Sequence, residues 1–331
     1  RSFITQSFLA AGMLSTLPGK VFSYPELQNG YFRLHPIIEA NPDAVFILKT
    51  NVDSKTDSAE IKSISYNLLQ NILIPHEEEH SGWPTSSLIG IRPNLTDRAD
   101  PDISSIGIQS DVKWIEGAID HLLDLGIQSS DIYIREPNSE RLFKNSLFDE
   151  MAARKGINIK ETPYKINNMV EGTDYTIVDT PDGGYFNRLA YLFPYNRSNS
   201  VIINMAKLKS HKSMGFTGCA KNLQGTIARG YCRHCTPVGL GLDISAGDIN
   251  TGGYDYVMNN YVSRAENNFP RYNIKQYASL EEASGDWKGP VRVESWATRC
   301  IDNMKTLQNV GIHILEGIYS REGAIVAEQP S

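Results

Sequence analysis

Cysteine is scarce in this chain: Cys219, Cys232, Cys235 and Cys300 are the only four in 331 residues. That is too few for a disulfide framework, and a chain of this length can bury a full core without one, as one large α/β domain or two smaller ones. Long apolar runs are lacking as well. The apolar stretch Phe8–Leu17 is well short of the roughly 20 residues a membrane-crossing helix needs, so no integral span is expected in the mature chain. A basic excess is also absent. With 32 Lys and Arg against 38 Asp and Glu, the net charge is −6, which argues against nucleic acid as the main partner. No internal repeat or low-complexity segment stands out. Hydrophobic residues at 40% and charged residues at 21% are ordinary values that suggest neither disorder nor a membrane bundle.

What is present centres on Val201–Gly225, VIINMAKLKSHKSMGFTGCAKNLQG. Its first five residues are a β-branched apolar run of the kind that fills the inside of a sheet. A basic, glycine-rich loop follows. Lys207, Lys209, His211, Lys212 and Lys221 gather basic side chains there, while Gly215, Gly218 and Gly225 lack the Cβ atoms that would hold a ligand off the backbone. Such a loop suits an anion, and ligands of open α/β sheets sit beyond the carboxyl ends of the strands.

Taken in order, residues 1–23 read as the remainder of a twin-arginine export signal, with Arg1-Ser2-Phe3 ahead of the apolar core and Val21-Phe22-Ser23 as a small-residue cleavage site. The competing reading is an amphipathic N-terminal helix. Export would place the protein in the periplasm or elsewhere outside the cytoplasm. Residues 24–229 are expected to form an α/β domain. Ala44–Thr50 has strong strand character, and Asp57 opens a helix carrying Ile61, Ile64, Leu68, Leu69 and Ile72 at helical spacing. Ser87–Ile91 reads as a strand delivering Arg92, Pro93 and Asn94 to a loop. Asp111 caps a helix with Val112, Ile115, Ile119, Leu122 and Leu123 facing a core, ended by Gly126. Ile132–Ile134, a helix over Leu142–Lys155, Ile157–Ile159 and Tyr175–Val178 continue the alternation. Short links between such elements predict a doubly wound, mostly parallel, Rossmann-like sheet. Residues 230–286, rich in Gly, Asn and Tyr, predict an irregular inserted lid or subdomain, with Asp243, Asp248 and Asp255 as further candidate ligands. Residues 287–331 are expected to return to the α/β domain.

Two patterns invite a metal. His76-Glu77-Glu78-Glu79-His80 satisfies H-E-x-x-H, but Pro75 before it and Ser81-Gly82-Trp83-Pro84 after it deny the helix that would put both histidines on one face. A solvated acidic turn is the expectation there. Cys232, His234 and Cys235 are candidate ligands for a transition metal (nickel, iron or zinc) or an iron–sulphur cluster, with Cys219 in reserve; a disulfide or free thiols are the competing readings.

The run Lys207-Leu208-Lys209-Ser210-His211, followed by Gly215-Phe216-Thr217-Gly218 and Lys221-Asn222-Leu223 through Gly225, resembles the signature of the family catalogued as domain of unknown function 362. Gly90-Ile91-Arg92-Pro93-Asn94-Leu95 resembles its early K-P-N-L segment, and Leu315-Glu316-Gly317-Ile318 through Gly323 its late glycine-containing segment. Arg92 stands where lysine is usual and Glu316 where aspartate is usual. The resemblance implies occasional association with iron–sulphur modules. The pattern His211-x-x-x-Gly215-Phe216-Thr217-Gly218-x-x-Lys221 is similar to one in the nickel-pincer lactate racemase family, which implies a metal- or substrate-directed histidine and a cofactor-anchoring lysine.

These readings converge on a small anionic ligand, a carboxylate or phosphate. Lys207, Lys209, Gly215, Thr217, Gly218 and Lys221 would hold it, Asn94 and Asn222 would orient it, and His211 would serve as acid–base because an imidazole titrates near neutral pH. His211 and Lys221 are the candidate catalytic pair, for a metal-dependent isomerase, racemase-like enzyme or oxidoreductase. A non-catalytic accessory component of a larger surface or redox assembly, with a protein partner, is the alternative.

Overall fold

The protein is described by a computed structural model over residues 30–54, 56–78, 81–95, 107–136, 142–161, 169–180, 188–211, 215–228, 297 and 300–319. Residues 1–23, the segment 230–286, the Cys232–Cys235 pair and His80 lie outside these. Two compact units account for the chain, residues 1–87 with 111–132 and residues 88–110 with 133–331.

In the first unit, β1 (Tyr31–Leu34) is flanked by β2 (Leu73–His76) and β3 (Trp83–Pro84) in an antiparallel sheet of order β2-β1-β3. The helix Ser58–Ile72 begins where Asp57 accepts a hydrogen bond from Glu60 N at 3.0 Å, as its capping pattern predicts. The helix Val112–Asp124 starts from the Asp111 cap, and Gly126 follows it at φ 88°. The two helices pack so closely that a Cβ on Gly117 would stand 2.1 Å from Lys62 O. Ile61, Leu69, Ile115, Ile119 and Leu122 are buried. Around that seam Lys62 bridges Glu116 and Asp120, and Tyr66 Oη donates to Asp124 at 2.6 Å. His76 ends β2 and contacts Ser81 rather than entering a helix, which agrees with the proline argument.

Ala44–Thr50 is a correction: it forms no strand, and Val45, Ile47 and Leu48 are exposed. Its β-branched composition expresses strand propensity, but among the described residues no neighbour completes a ladder.

The second unit holds a five-stranded parallel sheet. Its strands are β4 (Leu88–Pro93), β5 (Ile132–Glu136), β6 (Asn158–Glu161), β9 (Ser200–Lys207) and β12 (Val310–Glu316), in the order β12-β9-β4-β5-β6. All eight residues of β9 are buried, as the V-I-I-N-M-A run predicts. From β4 the chain winds outward one way through β5 and β6, then returns to β9 beside β4 and continues the other way to β12. The order therefore reverses between β4 and β9, where open α/β sheets form a crevice at their carboxyl ends. This is a Rossmann-like α/β arrangement. The tyrosine-led strand β7 (Tyr175–Asp179) pairs instead with β8 (Arg188–Leu192) in a separate antiparallel ribbon. The single helix expected over Leu142–Lys155 is two, Leu142–Asn145 and Phe148–Lys155, because Leu147 takes a left-handed φ of 62° between them.

Candidate functional site

The strand ends deliver charged residues to one edge of the sheet. Arg92 and Pro93 close β4, Glu136 closes β5, Lys207 closes β9 and Glu316 closes β12. After β9 the chain forms a hairpin, β10 (Lys209–His211) against β11 (Gly215–Thr217), then the short helix Cys219–Asn222 and a 3₁₀ turn over Leu223–Thr226. The basic loop thus grows from the strand beside the reversal point.

Below that loop lies a buried polar network. Arg92 Nη1 donates to Glu136 Oε2 at 2.6 Å and Arg92 Nε donates to Asn222 O at 3.2 Å. Asn222 Nδ2 donates to Arg92 O (2.9 Å) and to Asn204 Oδ1 (2.8 Å), while its Oδ1 accepts from Asn94 Nδ2 at 3.0 Å. Asn204 Nδ2 in turn donates to Cys219 O and to His313 Nδ1, each at 2.9 Å. Arg92, Asn94, Glu136, Asn204 and Asn222 are each at most 3% exposed. Their side chains fasten the loop to β4, β9 and β12.

Gly225 completes this fastening. A Cβ there would fall 1.7 Å from Arg92 Nη2 and 2.0 Å from Arg92 Cζ, so the glycine makes room for the guanidinium rather than for an external ligand.

The basic residues have different surroundings. Lys207 Nζ forms a 2.5 Å ion pair with Glu316 Oε2, both side chains 3% exposed, and Glu316 Oε1 accepts from Ile318 N at 2.8 Å. Lys209, also buried, donates to Ile108 O at 2.6 Å. His211 is buried opposite Gly215 in the hairpin register. Lys221 is partly exposed and lies 3.4 Å from Thr217 Oγ1, a residue buried in β11. Gly218 precedes the short helix, with its missing Cβ facing the Phe216 ring at 3.1 Å. Lys207, Lys209, His211, Thr217, Gly218, Lys221, Asn94 and Asn222 therefore share one end of the sheet and its attached loop.

Burial pushes the Cys219 thiol up to about 11, so it is neutral at ordinary pH and is a poor nucleophile. His313, on β12, is exposed, while desolvation of its packed side lowers its pKa; Nδ1 accepts from Asn204, a bond that only the neutral ring can make. Among the described residues no three His, Cys, Asp or Glu side chains come together as a metal-ligand set.

Asn204, His313 and Ser110 were not singled out from the sequence. Asn204 does carry a signal: it is one amide inside an apolar buried strand, and such a group must find partners. Ser110 gives none; its hydroxyl accepts from Asn94 N and donates to Met205 O at 2.9 and 3.2 Å.

No curated protein and no solved structure matches the chain. The family model described as Domain of unknown function (DUF362) matches residues 89–322, a span that takes in every residue of the network and the basic loop. Since that span exceeds half of the 331 residues, the chain belongs to the DUF362 family.

Proposed function

We propose that the carboxyl edge of the parallel sheet, at the loop Lys207–Gly225, binds a small anionic molecule, a carboxylate or a phosphate. The observation that carries this reading is the position of the loop: it leaves β9 where the strand order reverses beside β4, with Lys209, His211 and Lys221 on it. Lys221, partly exposed at the end of a four-residue helix, is the side chain best placed to meet an incoming anion. Lys207 serves differently, since its charge is answered by Glu316 inside the sheet edge. Thr217 and the backbone around Gly215 and Gly218 supply neutral hydrogen-bonding groups beside it.

In this reading His211 moves a proton on the bound molecule, as a general acid–base for an isomerase or a redox enzyme. The export expectation from residues 1–23, and a metal or cluster held by Cys232, His234 and Cys235, belong to the same proposal. Native-host protein would be assayed for bound metal. Hydrogen exchange of the full chain, with and without inorganic phosphate or acetate, tests the location. New protection is expected over residues 207–226; protection confined to the first unit contradicts the assignment.

A further inference from the structure

We infer that residues 43–49, Asp43-Ala44-Val45-Phe46-Ile47-Leu48-Lys49, are a self-complementary strand through which two copies of this chain associate. Apart from the half-buried Phe46 the segment is exposed, and it pairs with no strand among the described residues. Val45 and Ile47 are 75% and 78% exposed, and Leu48 is 51% exposed. At its start Ala44 N closes a turn onto Asn41 O, and beyond it Asp57 N donates to Ser54 O. Among the described residues, the backbone groups of residues 45–51 therefore bond to no others. A run of β-branched and aromatic residues without proline or glycine, and with unpaired backbone groups, is a template for an added strand.

The charges choose the occupant. In an antiparallel pairing of two copies centred on Phe46, Asp43 lies opposite the second copy's Lys49, Val45 opposite Ile47, and Phe46 opposite Phe46. Period-2 alternation puts Asp43, Val45, Ile47 and Lys49 on one face, so the two most exposed apolar residues pair between two opposite-charge pairs. No like charges meet. The two-fold axis makes the Asp43–Lys49 and Val45–Ile47 contacts each occur twice, with Phe46 meeting its copy once on the axis, as in an isologous dimer. A register centred on Ile47 would set Val45 against Lys49 and leave Asp43 facing Asn51, so the charge pattern favours the Phe46 centre. A two-stranded ribbon by itself is marginal in water, so a concentration-dependent equilibrium is expected.

Sedimentation velocity of the full chain over a wide concentration range tests this. The wild type should pass from monomer to dimer, and Ile47→Asp should stay monomeric with an unchanged circular dichroism spectrum. Because a charge in a strand can act in more than one way, the reversal pair is the stricter control. Asp43→Lys alone should weaken the dimer by roughly an order of magnitude, since the affected pair occurs twice, and Asp43→Lys combined with Lys49→Asp should restore it. A chain that stays monomeric, whatever other partner it takes up, overturns the inference. So does a dimer indifferent to Ile47→Asp, or a double reversal that fails to restore association.

Discussion

The guanidinium of Arg92 fills the space that a Cβ on residue 225 would need, with Nη2 only 1.7 Å from that point. Two chain segments more than a hundred residues apart are thereby fitted to each other. Arg92 cannot swing away cheaply, because it is buried and held by Glu136 and by Asn222 O. Gly225→Ala is expected to cost roughly 3 kcal/mol by overpacking. In an Arg92→Lys background the same change should cost distinctly less, since a lysine carries no planar fork to collide. Urea unfolding of the four proteins checks this; additive losses would mean the contact does not govern the site.

Lys207 and Glu316 answer each other across the paired ends of β9 and β12. Glu316→Gln should remove about 3–5 kcal/mol, because it leaves a buried ammonium without its counter-charge. Lys207→Met together with Glu316→Leu should recover most of that loss, since an apolar pair has no charge to desolvate. Equilibrium unfolding reads both, and a Glu316→Gln protein as stable as the wild type would place the pair in water.

His121 gives the first unit a pH dependence. Its Nε2 lies 2.9 Å from Leu73 O and so carries the proton, while Nδ1 is buried with no hydrogen-bond partner and the edge of Tyr66 packs nearby. Desolvation lowers its pKa from 6.5, against smaller raising contributions from the Leu73 carbonyl and Asp124. The unfolded chain then binds the proton more readily than the native one. Stability from this group is present above about pH 6.5 and is lost as pH falls through the depressed native value. Chemical unfolding between pH 7.5 and pH 5 should show a loss that His121→Gln largely removes; an unchanged slope in that variant assigns the loss elsewhere.

Much of the fold was legible because short-range signals agree with burial. Val201–Met205 is apolar and β-branched and lies inside β9, and Asp57 and Asp111 cap the helices their neighbours predict. The break at Leu147 and the irregular Ala44–Thr50 were not legible, since one depends on a single strained φ and the other on there being no pairing strand among the described residues. At the site, residue types located the loop but not their allegiances. Gly225 looked like space for a ligand until Arg92, 133 positions earlier, proved to occupy it, and Lys207 looked available until Glu316 was brought opposite. Such pairings are set by strand order, which local sequence does not encode.

The most direct test of the anion site is calorimetric titration of inorganic phosphate and acetate into the full chain and into its Lys221→Met variant, with thermal unfolding of both. Lys221→Met keeps side-chain length and removes the charge. The account predicts binding of at least one of these anions by the wild type, a loss of roughly tenfold or more in the variant, and nearly equal Tm values. Undiminished binding in the variant, or a lost site accompanied by a large fall in Tm, would show that Lys221 holds the fold rather than the anion.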